Sequence, residues 1–260
     1  MDIAERKDME FYIMRGCQGN IKEAQAKIWI KQIASALEYL HEIGAAHRDI
    51  KCENILITRC LNARLADYGF SRLFKTPKDL SMTFCGTATY AAPEILKNIP
   101  YIARPSDIWS LGVVLYRVLN KKFPFGDLNT KIRALIKRQE NQEYTFSSLY
   151  DISMDAKKLI KRMLTLAPAR RPTAKEVQND AWCRGAIMLV KIEEDQKEAL
   201  ENGKAKKIEY QQRLPMVEDL VKNNNAEFSS EPQDKNYADP GETISDTSLR
   251  DRVCSPRTFL

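Results

Sequence analysis

Between Asp107 and Leu119 the chain is apolar on nearly every side. A helix without a polar face belongs in an interior, so the other elements must be laid around it. This run predicts a buried central helix. Its most apolar part, Leu111 to Leu119, contains Arg117 and is too short to cross a bilayer. With 43% apolar and 29% charged residues, 260 residues can build a sizeable core and hold one or two domains. The net charge of +6 is modest, and no repeating Lys/Arg and aromatic pattern accompanies it. Neither a nucleic-acid partner nor a membrane is expected.

The remaining periodicity is mostly helical. Ala26, Ile30, Ile33, Leu37 and Leu40 recur at three and four between Glu23 and His41, which predicts an amphipathic helix closed by Gly44. Ser153 to Leu164 reads as another helix, with Leu159, Ile160, Met163 and Leu164 facing inward. Thr173-Ala174-Lys175-Glu176 is a capping box opening a last helix that ends near Trp182. Residues 9–14 read as a short strand. Ile55–Ile57 and Ala63–Ala66 read as a hairpin around Asn62. From Ser71 to about Pro105 the chain is irregular, a length that usually carries function. Residues 186–213 are rich in Lys and Glu and predict an exposed helix with pairs such as Glu193–Lys197. Residues 214–260 are expected to be disordered.

Cysteines at 17, 52, 60, 85, 183 and 254 have no zinc or redox spacing, and the histidines are His41 and His47. Free thiols in a reducing compartment are expected. Met1 to Glu10 is charged and has no apolar core, so no signal peptide is read there. These features point to a cytoplasmic or nuclear protein.

The chemistry concentrates in His47-Arg48-Asp49-Ile50-Lys51-Cys52-Glu53-Asn54, followed thirteen residues later by Asp67-Tyr68-Gly69. Phosphoryl transfer needs an oriented hydroxyl, metal ions on the phosphates and positive charge near the moving group. Asp49 offers a base for the hydroxyl, and Lys51 a cation for the phosphate. Asn54 and Asp67 offer the oxygen ligands that Mg²⁺ prefers. Gly69 is expected to let the backbone turn sharply after Asp67.

His-Arg-Asp-x-Lys-x-x-Asn, Asp-x-Gly, Gly-Thr-x-x-Tyr-x-Ala-Pro-Glu and Asp-x-Trp-Ser-x-Gly follow one another in order. Over about residues 9–183 the chain thereby resembles the C-terminal lobe of serine/threonine protein kinases. Thr83-Phe84-Cys85-Gly86, Tyr90-Ala91-Ala92-Pro93-Glu94 and Asp107-Ile108-Trp109-Ser110-Leu111-Gly112 look most like the testis-specific serine kinases of the calcium/calmodulin- and AMP-dependent kinase group.

The resemblance implies a mostly α, kinase-like C-lobe with a small β hairpin near the catalytic loop. It implies ATP and Mg²⁺ as cofactors and protein Ser/Thr as substrate. Asp49 would be the base, Lys51 the phosphate contact, and Thr87 a seat for the substrate hydroxyl. Asn54 and Asp67 would hold the metal, and Arg15 and Cys17 would flank adenine in a hinge. Thr83 would take an activating phosphate from an upstream kinase and pair it with Arg48. Glu94 would pair with a buried Arg171, Asp107 would cap the catalytic loop, and His47 and Tyr68 would pack in the core spine.

Two departures from the pattern stand out. No Gly-rich strand pair or strand lysine precedes the loop, so the β-rich ATP-covering lobe is expected to be missing. The segment between Gln18-Gly19-Asn20 and the helix from Glu23 is also short. The expected order is a remnant strand and hinge over 1–20, the lobe over 21–185, the charged helix and the tail. The leading expectation is a truncated serine/threonine kinase. The alternative is a catalytically inactive, pseudokinase-like lobe serving as a protein-binding scaffold. A third reading takes Lys204, Lys206 and Lys207 as part of a segment that binds calmodulin or an anionic surface.

Overall fold

The fold is known from a computed structural model, which describes residues 6–15, 21–58, 61–76, 79–83 and 85–184. The expectations for 186–213, for 214–260 and for Cys17 lie outside the described residues.

The central helix is α4, Ala103–Asn120, and Ile108, Trp109, Leu111, Val113, Val114, Leu115 and Tyr116 are all closed to solvent. It begins four residues before Asp107. It packs against the other long helix, α2 (Glu23–Glu42), and against α6 (Met154–Met163). α2 buries Ala26, Trp29, Ile30, Ile33, Ala34 and Leu37, a stripe at spacings of three and four. Gly44, at φ +79°, then turns the chain into β2, Ala45–Ala46. α4 and α6 touch closely at Gly112, where a Cβ would stand 2.9 Å from that of Met163. Inward-facing Leu159, Ile160, Met163 and Leu164 are all buried, and the Ser153 hydroxyl caps α6 by accepting the Ala156 N–H.

The hairpin is β3 (Ile55–Ile57) and β4 (Ala63–Leu65), antiparallel with Leu56 opposite Arg64. A third strand, β1 (Arg6–Asp8), pairs antiparallel with β3. Residues 9–14, read above as a strand, are instead part of helix α1, Met9–Arg15. Asp8 Oδ1 accepts the Phe11 N–H at 2.6 Å and starts the helix. Met9, Tyr12 and Ile13 then share one face, with Met9 fully buried and Tyr12 edge-on to Trp29. Spacing of three and four along a core-facing stripe outweighs the strand preference of Phe, Tyr and Ile. An extended hinge at Arg15 thus loses the strand it was to follow, because Arg15 closes α1.

The stretch from Ser71 to Pro105 is largely irregular but holds short elements. β5 (Arg72–Leu73) pairs with β2, and α3 (Pro93–Leu96) follows a single turn at Ala88–Tyr90. α5, Ile132–Glu140, was not visible in the sequence; among its residues Leu135 and Gln139 are buried. The capping box forms as expected at Thr173 and Glu176, but its helix α7 ends at Gln178. A separate turn, α8 (Ala181–Arg184), places Trp182, whose N–H is capped by Asp180 Oδ1 at 2.9 Å.

Glu23 gathers three of these parts. Its carboxylate accepts the Ser153 N–H (2.9 Å), the Ser153 hydroxyl (2.6 Å) and the Trp182 indole N–H (2.7 Å). Burial opposes its ionisation, but these bonds prevail and hold its carboxyl below the ordinary value. Among the described residues no helix is long and apolar enough to cross a membrane.

Candidate active site

The loop after β2 is built on one buried carboxylate. Asp107, 1% exposed on α4, accepts the His47 N–H through Oδ2 (3.0 Å) and the Arg48 N–H through Oδ1 (2.8 Å). His41 Nε2, at the end of α2, lies 2.9 Å from the same Oδ2. These bonds hold Arg48 in a left-handed conformation, φ +70°, which a bulky side chain seldom adopts. His47 is fully buried. Its Nδ1 accepts the Asp49 N–H at 3.3 Å, so its Nε2 carries the proton and donates to Ala66 O at 3.1 Å. The imidazole thus links the loop to the chain just before Asp67.

Asp49 is 4% exposed. Its Oδ2 accepts from Asn54 Nδ2 and from Lys51 Nζ, each at 2.8 Å. Asn54 Nδ2 also donates to Asp49 O at 2.8 Å. Its amide hydrogens are thereby spent inward, and its Oδ1 accepts no hydrogen bond among the described residues. Asp49 Oδ1 faces Gly86: a Cβ there would stand 2.9 Å from it, and Gly86 has φ +86°. Thr87 follows directly and opens the Ala88–Tyr90 turn, so it lies one residue from the free side of the carboxylate.

Asp67 is exposed and takes φ +60° itself. The sharp turn expected of Gly69 therefore belongs to Asp67, while Gly69 supplies an N–H to Asp67 Oδ1 at 3.2 Å. The Ala66 N–H donates to Asn54 O at 2.9 Å, which joins the two stretches bearing Asn54 and Asp67. Both side chains offer hard oxygens of the kind that suits Mg²⁺, which keeps waters and phosphate oxygens as its other ligands.

Tyr68 meets His47 edge-on at 5.1 Å, but it is 49% exposed rather than packed within a spine. Its hydroxyl turns back to Leu65 O at 3.3 Å, and among the described residues little covers its outer face.

Thr83 is exposed, and its carbonyl lies 3.5 Å from Arg48 Nη2. The same guanidinium donates to Cys85 Sγ at 2.9 Å. Burial pushes the Cys85 thiol up, with the Arg48 charge pulling the other way. Tyr101, which no motif marks, donates its hydroxyl to Thr83 O at 3.1 Å.

Arg171 and Glu94 form a two-pronged pair at 2.6 and 2.8 Å. Arg171 also donates to three carbonyls, those of Thr165, Leu166 and Pro105, and lies 4.9 Å from the centre of the Trp109 ring. This pair fixes α3 to the loop before α7 and touches no reacting group. A groove of about 520 Å³ beside it shares Arg171 alone with the candidate residues.

Residues 1–183 match the protein kinase domain family. The chain is 39% identical to human testis-specific serine/threonine-protein kinase 3 over 183 residues, 70% of this chain and 66% of that protein. It is 36% identical to mouse testis-specific serine/threonine-protein kinase 1 over 197 residues, 70% of this chain and 53% of that one. It is 41% identical to protein kinase kin1 of Schizosaccharomyces pombe over 165 residues, 63% of this chain and 18% of the fungal protein. The chain thus spans just under two thirds, or less, of the length of these relatives. A carboxylate held by a lysine and an asparagine within a His-Arg-Asp loop, seen in a sequence matched from residue 1 to 183, places this chain in the protein kinase domain family.

Proposed function

We propose that this chain carries the catalytic groups of a serine/threonine protein kinase, which moves the γ-phosphoryl group of ATP to a Ser or Thr hydroxyl of a protein. The observation that carries the reading is the two-sided Asp49 carboxylate. Its Oδ2 is occupied by Lys51 and Asn54 at 2.8 Å, while Oδ1 faces Gly86, the residue before Thr87. Oδ1 is therefore the atom that accepts the hydroxyl proton, and Thr87 helps align that hydroxyl. Lys51 carries its positive charge from Asp49 toward the transferred phosphoryl oxygens. Asn54 Oδ1 and the Asp67 carboxylate would hold Mg²⁺, which would supply positive charge to offset that developing on the nucleotide phosphates. Arg48, Glu94, Asp107 and Arg171 position these groups without touching substrate. Thr83 is the acceptor for an activating phosphate, which Arg48 would receive.

The experiment is Mg-ATP binding by melt shift, with transfer to a basic Ser peptide, in the chain and in its Asp49→Asn variant. Binding with transfer that Asp49→Asn abolishes, at an unchanged melting temperature, supports the reading. Equal transfer by both proteins refutes the base assignment.

A second reading is a lobe that binds protein partners without turnover. It is favoured by exposed Tyr68 (49%), Leu73 (61%) and Met82 (69%), apolar groups of a kind that mark interaction surfaces. Absence of both nucleotide binding and transfer would favour it.

A further inference from the structure

Thr83 is exposed, yet Ser81 before it and Cys85 after it are each bonded without a phosphate. Ser81 and Tyr101 exchange two backbone hydrogen bonds, 2.8 and 2.9 Å, in an isolated antiparallel bridge. From that bridge the Tyr101 ring runs inward, 4% exposed, and its hydroxyl reaches Thr83 O at 3.1 Å. Arg48 approaches the same carbonyl and holds Cys85 Sγ at 2.9 Å. Next in the chain is Gly86, whose backbone lies against Asp49 Oδ1. Burial pushes Tyr101 up to about 12, so its hydroxyl keeps a proton to donate throughout the neutral range.

We propose that Tyr101 is a positioning residue whose hydroxyl seats Thr83 and Cys85 on Arg48 in the unmodified chain, so that the segment beside Asp49 is ordered before any phosphate is added. This deepens the kinase reading above and rests on it for its consequence. A phosphate on Thr83 then adds charge to a segment already in place. The rate gain from that phosphate is small in the parent chain and larger once the hydroxyl is gone. Tyr101 lies eighteen residues past Thr83, and its ring touches neither substrate nor nucleotide in this scheme.

The test is hydrogen exchange by mass spectrometry on the full chain, comparing the parent with Tyr101→Phe. The substitution keeps the ring and removes the hydroxyl. Peptides spanning 79–89 should exchange about fivefold faster, the scale of one lost hydrogen bond, while peptides of α6 stay unchanged. If the chain turns over, KM for the protein substrate should rise about fivefold with kcat nearly constant, and phosphorylation of Thr83 should restore it. Unchanged exchange at 79–89, or acceleration shared equally by α6, overturns the proposal. Exchange needs no turnover, so an inactive parent would sink the kinase reading while leaving the role of Tyr101 measurable.

Discussion

Replacing Asp107 gives a graded test of how the catalytic loop is held. Its two oxygens receive the Arg48 N–H at 2.8 Å, the His47 N–H at 3.0 Å and His41 at 2.9 Å, all in a site 1% exposed. In Asp107→Asn the side chain keeps one acceptor and gains a donor. Either rotamer leaves one buried backbone N–H facing the new NH₂, while His41 can change tautomer and accept from it. One orphaned buried donor costs about 1–3 kcal/mol. In Asp107→Ala all three donors lose their partner, and the cost should reach about 4–5 kcal/mol, near the upper end for single substitutions. For a domain of this size each kcal/mol lowers Tm by about 2–4 °C. Asn should therefore lower Tm by roughly 2–12 °C, and Ala by more. Urea titration and thermal melts at pH 7 measure both. The left-handed Arg48 should also relax, so hydrogen exchange should quicken at 47–49 first. An Asn variant as stable as the parent, or one less stable than Ala, would refute this account.

Three other outcomes follow from the geometry. Gly86→Ala puts a methyl 2.9 Å from Asp49 Oδ1 at φ +86°, so stability should fall by about 1–2 kcal/mol in urea titration and any transfer rate by about tenfold or more. The folded value of Glu23 is below its ordinary 4.5, so its contribution is present above 4.5 and fades as pH falls through the folded value; Glu23→Gln should flatten that part of the stability-pH curve measured by urea titration. Arg171→Lys keeps the charge but loses the fork to Glu94 and bonds to three carbonyls, and should lower stability by about 3 kcal/mol in the same titration.

Much of this fold was legible because its strongest signals are local. The apolar circuit of α4, the stripe on α2 and the Thr173–Glu176 box each need a single segment to be read. α1 was misread because Phe11, Tyr12 and Ile13 favour strands by type; Asp8 at its start and Trp29 on another helix decide for a helix. α5 was missed because few of its residues face inward. In the site, the short loop from His47 to Asn54 carried its chemistry in order. The turn assigned to Gly69 fell on Asp67, since a carboxylate that can accept its own Gly69 N–H tolerates φ +60°. Tyr101 left no trace, because a hydroxyl that bonds a backbone carbonyl eighteen residues away requires no motif at either end.

The three bonds that meet at Glu23 also bear on synthesis. Its partners Ser153 and Trp182 lie 130 and 159 residues downstream, so a ribosome making this chain releases α2 well before either can clasp its first turn. β4 and α4, made earlier, can cover part of its apolar stripe, but the Glu23 end stays open to chaperones and to neighbours on the polysome until Trp182 has emerged. Premature termination before codon 182 should therefore yield a product that leaves this end of the helix unclasped and is more prone to aggregate.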